Sequence, residues 1–258
     1  MSSIYQHFRP DEKEFIDQVL HWRQSVEEMY APKLTDFLDP REQQIIQVVI
    51  GKQDEVRLSF FGGLEEVERK RAFIYPAYFI PEPEQFDIVL YEIDYPQKFV
   101  SLEHRHVLGS LMGVGLRRGK FGDILSDGKR FQFFAASEVS EYIEMNFQQV
   151  GKTSVILKKV PFTDAIRNEE EWKETTVTSS SLRLDTLISS YANLSRQKVQ
   201  SLIKGGLVKV NWKVVEDPAF ECSEGDVFSV RGVGRSKLLA IEGRTKKDKW
   251  RITMGILK

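Results

Sequence analysis

The stretch LSRQKVQSLIKGGLVKVN, Leu194–Asn211, compresses a helix start, a double glycine and an alternating strand into eighteen positions. Ser195 is placed to cap the helix, its hydroxyl taking an orphan backbone N–H. Val199, Leu202 and Ile203 recur at helical spacing and face a core. Gln197, Gln200, Ser201 and Lys204 then point outward, with Lys198 on the flank. Gly205–Gly206 ends the helix, because glycine accepts the left-handed exit. The alternation of Val208–Asn211 puts Lys209 and Asn211 on one face of a strand. Upstream, Leu184, Leu187, Ile188 and Tyr191 form a second helical stripe. Downstream, GDVFSVRGVGRSK predicts a further strand, followed by Arg231, Arg235 and Lys237 in a glycine-rich turn.

The positive charge around this helix–turn–strand is not shared by the whole chain. Over 258 residues the net charge is −1. From Ser180 onward there are 15 Lys and Arg against 8 Asp and Glu, whereas the preceding part holds 22 against 30. A basic domain attached to an acidic body points to a polyanionic partner. Arg183 and Arg196 stand at predicted helix starts, where a cation opposes the helix dipole and a bound phosphate would reverse the sign. The short strands are expected to bring Lys209, Lys213 and the Arg231–Lys237 turn to one sheet edge. Arginine grips a phosphate with two donors, and lysine adds point charge. Arg183, Arg196, Lys198, Lys204, Lys209, Asn211, Lys213, Arg231, Arg235 and Lys237 are therefore the candidate RNA contacts. Taken singly, each also fits a merely solubilising surface; their grouping favours RNA.

The rest of the chain reads as two further modules. Phe15, Val19, Trp22, Val26 and Met29 form a helical stripe, and Asp39–Pro40 reads as the N-cap and first residue of a second helix carrying Ile45, Ile46, Val48 and Val49. VRLSFF and AFIYP are expected strands, with GGLEEVERKR between them as a turn into a charged, solvated helix. Next, FDIVLYEI, LEHRHVLGSLMG, FGDIL, RFQFFAA, SEVSEYIEMNF and TSVILKKV follow the order βαββαβ, the ferredoxin-like pattern shared by many RNA-recognition modules. Asp127–Gly128 predicts a tight primed turn in a hairpin, and Ser137 an N-cap, with Val139, Tyr142, Ile143 and Phe147 on one side of the helix it opens. FTDAIRNEEEWKETTVTSSS, acidic and then rich in Thr and Ser, reads as a linker. The fold class is thus α+β in three modules: an N-terminal α+β module over 1–80, a βαββαβ domain over 81–163, a linker over 164–181 and a basic RNA-binding domain over 182–258.

Other signals are weaker. GVGLRRG, Gly113–Gly119, has the wrong spacing for a dinucleotide loop and follows a helix rather than a strand. Arg117, Arg118 and Lys120 instead project from a basic loop and, with His104, Arg105 and His106, make a possible second RNA contact. His104 and His106 are two apart, so they do not share a helix face and a two-His metal site is not expected. Phe131 and Phe133 stand where RNA-recognition modules stack bases, but core packing is the favoured role. The single cysteine, Cys222, permits no internal disulfide, reads as a buried apolar residue and fits a cytosolic compartment. The N-terminal MSSIYQHFRPDEKEF has no signal-peptide pattern, and no run is long enough to span a bilayer. No cofactor, metal or membrane is expected, and the chain is read as a cytoplasmic monomer.

RLD at Arg183–Asp185, LSRQKVQSLIKGGLVKVN, the following Gly225–Asp226 and RGVGR resemble the RNA-binding domain first named for small-subunit ribosomal protein S-four, the αL motif, over Leu182–Lys237. That family usually has Asn-Gly after the strand; this chain has Asn211–Trp212, and Trp212 is expected to pack on the core rather than stack on a base. FLDPREQQII, GGLEEVERKRAFIYP and LEHRHVLGSLMGVGLRRGKFGDIL resemble, in the same order, the bacterial YlmH proteins. That resemblance implies a factor that binds the large ribosomal subunit and the tRNA held on it, in ribosome-associated quality control, and a gene among those for cell division. Because no serine–histidine–acid arrangement or metal-ligand cluster with sensible spacing appears in the sequence, the chain is read as non-enzymatic. RLD also occurs around the catalytic aspartate of pseudouridine synthases, so an RNA-modifying enzyme is the main alternative. A protein–protein adaptor in division is the third.

Overall fold

The computed structural model describes Tyr5, Phe8 and residues 12–51, 55–167 and 172–257. Most of the N-terminal stretch read for a signal peptide, and the acidic run 168–171 of the expected linker, lie outside the described residues. Two compact units divide the chain, Met1–Asn168 and Glu169–Lys258.

The first unit begins with helix α1, Lys13–Met29, which turns Ile16, Val19 and Val26 inward and leaves Met29 exposed. Strand β1, Lys33–Leu38, was not expected from the sequence. Helix α2, Pro40–Ile50, starts where Asp39–Pro40 predicts. The Asp39 carboxylate accepts the Glu42 N–H at 2.9 Å, and Glu42 accepts the Asp39 N–H at 2.6 Å, a reciprocal capping box. Ile45, Ile46 and Val49 are buried, whereas Val48 faces out. Strands β2, Val56–Phe61, and β3, Lys70–Pro76, join β1 in an antiparallel sheet of order β1-β3-β2, and α1 and α2 pack over Ala72 and Ile74.

The charged helix expected between β2 and β3 does not form. Its backbone is held by long-range partners instead. The Asp123 carboxylate accepts the N–H groups of Glu68 at 2.6 Å and Arg69 at 3.2 Å, and Gln43 donates to the Glu68 carbonyl at 2.7 Å. Gly63, at φ +102°, lies so close to Phe134 that a Cβ would sit 2.2 Å from the ring. No side chain fits there, and a helix would carry the backbone away from it.

The βαββαβ order is present: β4, Ile88–Asp94; α3, His104–Gly113; β5, Phe121–Ser126; β6, Phe131–Ala136; α4, Ser140–Asn146; a small hairpin of β7, Gln149–Val150, and β8, Thr153–Ser154; then β9, Ile156–Val160. The antiparallel sheet has order β5-β6-β4-β9. Two local expectations change. Ser137 opens a 3-10 turn without a side-chain cap bond, and Tyr142 is exposed, donating to the Val114 carbonyl at 2.9 Å. The β5–β6 loop is four residues long, because the Asp127 carboxylate gathers the N–H groups of Lys129 and Arg130 at 3.0 and 2.7 Å, and only Gly128 takes a positive φ.

Both faces of this sheet are covered. Val107 and Leu111 of α3 and Ile143 of α4 pack on Tyr91, Ile93, Phe131 and Phe133. On the other side, Leu90, Leu125, Phe134 and Ala136 meet Phe37 of β1, Val67 and Ile166. Gln132, fully buried, accepts the Ile166 N–H at 2.7 Å and donates to the Asp164 carbonyl at 3.1 Å, so the chain leaving β9 is strapped across the sheet.

The second unit contains β10, Trp172–Ser179; α5, Leu184–Ala192; α6, Arg196–Lys204; β11, Val208–Val210; β12, Lys213–Val214; β13, Val227–Val230; β14, Gly234–Arg244; and β15, Trp250–Leu257. Its antiparallel sheet has order β10-β15-β14-β13-β11-β12. Leu184, Leu187, Ile188, Val199 and Ile203 from the two helices pack against Val208, Val210, Phe228, Val230, Leu238, Ile252 and Met254. Strand β10 corrects the linker reading: Trp172–Ser179 pairs residue for residue with β15. Its Thr and Val residues are β-branched, and its polarity reflects a sheet face open to solvent.

Candidate nucleic-acid interface

Strand register places the cations of the second unit. Lys209 of β11 pairs with Ser229 of β13, and Ser229 pairs with Arg235 of β14. Directly paired residues share a face, so all three stand on the side away from the helices. Lys237, two residues beyond Arg235, shares that face. Arg235 and Lys237 therefore belong to β14 and not to the turn. Arg231 does lie in the β13–β14 turn, its N–H bonded to the Leu207 carbonyl at 3.0 Å. This bond draws the turn toward the exit of α6, where Gly206 takes φ +67°. Between them is an open groove of about 390 Å³ lined by Gly206, Leu207, Lys209, Ser229, Arg231, Gly234 and Arg235. Lys204, Lys209, Arg231 and Lys237 make no ion pair with any described residue.

Two candidates leave this group. Lys213 pairs with Val210, whose side chain is buried, so register puts it on the opposite face from Lys209. Asn211 has φ +48°, outside the strand, and its amide is occupied: it donates to Asp226 at 2.8 Å and accepts the Val227 N–H at 2.9 Å. It ties the β11–β12 hairpin to the start of β13. The tight turn forms without glycine, with Asn211 and Trp212 both at positive φ, 48° and 64°. Trp212 is half-buried and does not join the cluster around Phe228.

A separate cationic group forms where α5 and α6 begin. Ser195 caps α6 as expected, accepting the Lys198 N–H at 3.3 Å, and Lys198 and Lys204 are exposed. Arg183 and Arg196, however, both bind Asp185. Arg183 reaches it at 3.2 and 3.3 Å and Arg196 at 2.9 Å, joined by Gln200 at 2.8 Å and the Thr186 hydroxyl at 3.1 Å. Asp185 is fully buried, and Gln200, expected to point outward, instead donates to it. Burial pushes the Asp185 carboxyl up. The hydrogen bonds from Arg183, Gln200, Arg196 and Thr186 outweigh that and hold it well below the usual carboxylate range. Sequence reading missed this hub. Its signal was the four-residue spacing of Arg196 and Gln200, which puts both on one helix face within reach of one carboxylate.

The second candidate contact is largely taken up by the fold. Arg118 donates to the carbonyls of Phe121 at 2.6 Å and Gly122 at 3.2 Å, and burial pushes its guanidinium down to about 10. Lys120 binds Asp36 at 2.6 Å and Glu138 at 3.0 Å, clamping β1 to the middle module. Of the three, Arg117 alone is exposed. Arg105 pairs with Glu103 at 2.9 Å, and His104 and His106 are exposed at the start of α3. Phe131 and Phe133 are core residues, as favoured. Among the described residues no group of three or more His, Cys, Asp or Glu could hold a metal, and no helix is long and apolar enough to cross a membrane. Cys222 is buried, and burial pushes its thiol up to about 12.

Comparison with known proteins divides the chain in the same order. Family models match residues 11–79 ("YlmH, N-terminal"), 81–164 ("Putative RNA-binding domain in YlmH") and 182–228 ("S4 domain"). Arg231, Arg235 and Lys237 thus lie beyond the S4 match. A relative from Bacillus subtilis (strain 168), "Ribosome-associated protein quality control protein P2", is 49% identical over 253 residues, 98% of each chain. A solved structure, "Cell division protein ylmH from Streptococcus pneumoniae", is 34% identical with a TM-score of 0.55, covering 64% of this chain and 100% of that one. With all three modules matched and near-complete coverage of the Bacillus relative, this chain belongs to the YlmH family.

Proposed function

We propose that this protein is a non-enzymatic RNA-binding factor of ribosome-associated quality control that contacts ribosomal RNA of the large subunit and the tRNA held there. The observation that carries the reading is the in-register row of Lys209, Ser229 and Arg235 beside Arg231, around one open groove. Three cations on one concave surface suit a phosphate backbone, and duplex RNA offers its backbone and shape rather than its base edges. The printed name of the Bacillus relative supplies the ribosomal setting. Against a synthase-like enzyme stands Asp185, the aspartate of the RLD sequence. It is buried and engaged by four side chains, so it offers a substrate no free carboxylate.

Co-sedimentation with separated ribosomal subunits across a salt series tests this. Lys209→Ala with Arg231→Ala should weaken binding to the large subunit and lower the salt slope by ~0.7–0.9 log unit for each phosphate no longer neutralised. An unchanged slope would remove the groove from the interface. A division role rests on the printed title of the streptococcal relative; it requires protein complexes that survive nuclease treatment.

A further inference from the structure

Asp185 stands among cations as a charged group with no solvent exposure. Its carboxylate takes five hydrogen bonds, three of them from arginine. Arg183 spends Nε and one Nη on it, and Arg196 spends only Nε. The other guanidinium nitrogens of both have no partner among the described residues, and the two side chains are 39% and 53% exposed. A guanidinium presents its donors in a rigid planar fork, so fixing one edge sets the direction of the rest. Two arginines anchored on one carboxylate are also held as neighbours.

We propose that Asp185 is a positioning residue for RNA: it holds Arg183 and Arg196 side by side, with their remaining N–H groups turned outward to take a backbone phosphate. The inference rests on the RNA-binding reading above. A solvated surface arginine must give up its rotamer freedom when it binds. Here folding has already removed much of that freedom, because Gln200 and Thr186 hold the carboxylate from the other sides. Net charge works in the opposite direction. Asp185 cancels one of the two arginine charges, so by long-range attraction alone its removal should tighten RNA binding. Positioning requires the reverse, and the two effects differ in sign.

The full chain, wild type, Asp185→Asn and Arg196→Lys, is co-sedimented with purified large ribosomal subunits over a salt series, and each is melted to confirm folding. Asp185→Asn, although one unit more positive, should bind roughly tenfold more weakly, the order expected when two side chains must be immobilised anew. Arg196→Lys keeps its charge but loses the Nε anchor. It should also bind more weakly, at the wild-type salt slope. Equal or tighter binding by Asp185→Asn overturns the proposal. If that variant does not fold, Arg196→Lys decides, and unchanged affinity overturns it. Should the wild type not sediment with subunits, the RNA reading and this inference fall together. If only the Lys209 and Arg231 variant loses binding, the inference alone falls.

Discussion

Two sheets in this chain meet solvent in opposite ways. The four-stranded β5-β6-β4-β9 sheet has the strand order associated with RNA recognition, yet both of its faces are filled, one by α3 and α4, the other by Phe37, Val67 and Ile166. The six-stranded sheet packs α5 and α6 on one face and leaves Lys209, Arg235 and Lys237 on the other. An RNA-binding topology is therefore not an RNA-binding surface. The sheet with the familiar order serves as core, and the cation row stands on the sheet that keeps a face open.

The hardest test of this contrast is Phe134→Ala. The ring is fully buried between β6 and Gly63. Its removal should destabilise the first unit by ~3–5 kcal/mol, read from the denaturant midpoint. RNA affinity per folded molecule and its salt slope should stay at wild-type values. A steeper slope would mean that the covered sheet, once loosened, opens to RNA.

Asp185→Asn sharpens the comparison from the second unit. The folded-state carboxyl titrates below its unfolded value, near pH 4. Its stabilisation is thus present above about pH 4 and is lost as pH falls through the folded value. Charged hydrogen bonds are worth ~1.5–3 kcal/mol each, but both arginines are partly exposed, so a total near 2 kcal/mol is expected at pH 7. Thermal melts of wild type and variant should differ most at neutral pH and draw together as pH falls below about 4. A difference that is constant with pH would assign the effect to packing rather than to the charge.

These contrasts also show what the sequence could and could not reveal. Periodicity located α1, α2, the βαββαβ order, α5, α6 and β11, because each of those elements shows its buried face within its own residues. It failed where the partner is distant. GLEEVERK reads as a charged helix until Asp123, more than fifty residues away, claims its N–H groups. KETTVTS reads as a linker until β15, at the far end of the chain, pairs with it. The candidate site divides along the same line. Lys209 is legible from alternation alone. Lys120 and Arg196 read as free charge, although carboxylates from other segments hold them. Arg118 and Arg183 read the same way although their partners lie only two to four residues on, because side-chain periodicity does not show a backbone carbonyl or a buried carboxylate as a partner.

Lys120 and Lys209 turn that lesson into a direct trial, since they are the same residue in opposite roles. Lys120→Met breaks the bonds to Asp36 and Glu138. It should lower stability by about 1 kcal/mol, the pair being partly solvated, and leave the salt slope of RNA binding unchanged. Lys209→Ala should do the converse, shifting the slope while stability stays within ~0.5 kcal/mol. Urea unfolding and the sedimentation series on the same two proteins separate the cases. A slope change in Lys120→Met would restore the loop of Arg117, Arg118 and Lys120 to the RNA interface.

The smallest effect concerns the turn after β11, where this chain departs from the usual Asn-Gly. Trp212 is held at φ +64° with a full side chain. A non-glycine residue in the left-handed region costs of order 1–3 kcal/mol, and glycine removes that cost. Glycine also gives up the half-buried ring and gains freedom in the unfolded chain, which together offset part of the gain. Trp212→Gly should therefore be stabilising by only ~0.5–1 kcal/mol, read as a higher urea midpoint at constant m-value. Its RNA affinity then decides why the strain is kept. Unchanged binding makes Trp212 a tolerated substitution in a turn closed by Asn211. Weaker binding at an unchanged salt slope makes the ring an uncharged contact near the row of Lys209, Ser229 and Arg235, for which the six-stranded sheet bears a strained residue that the covered sheet has no cause to carry.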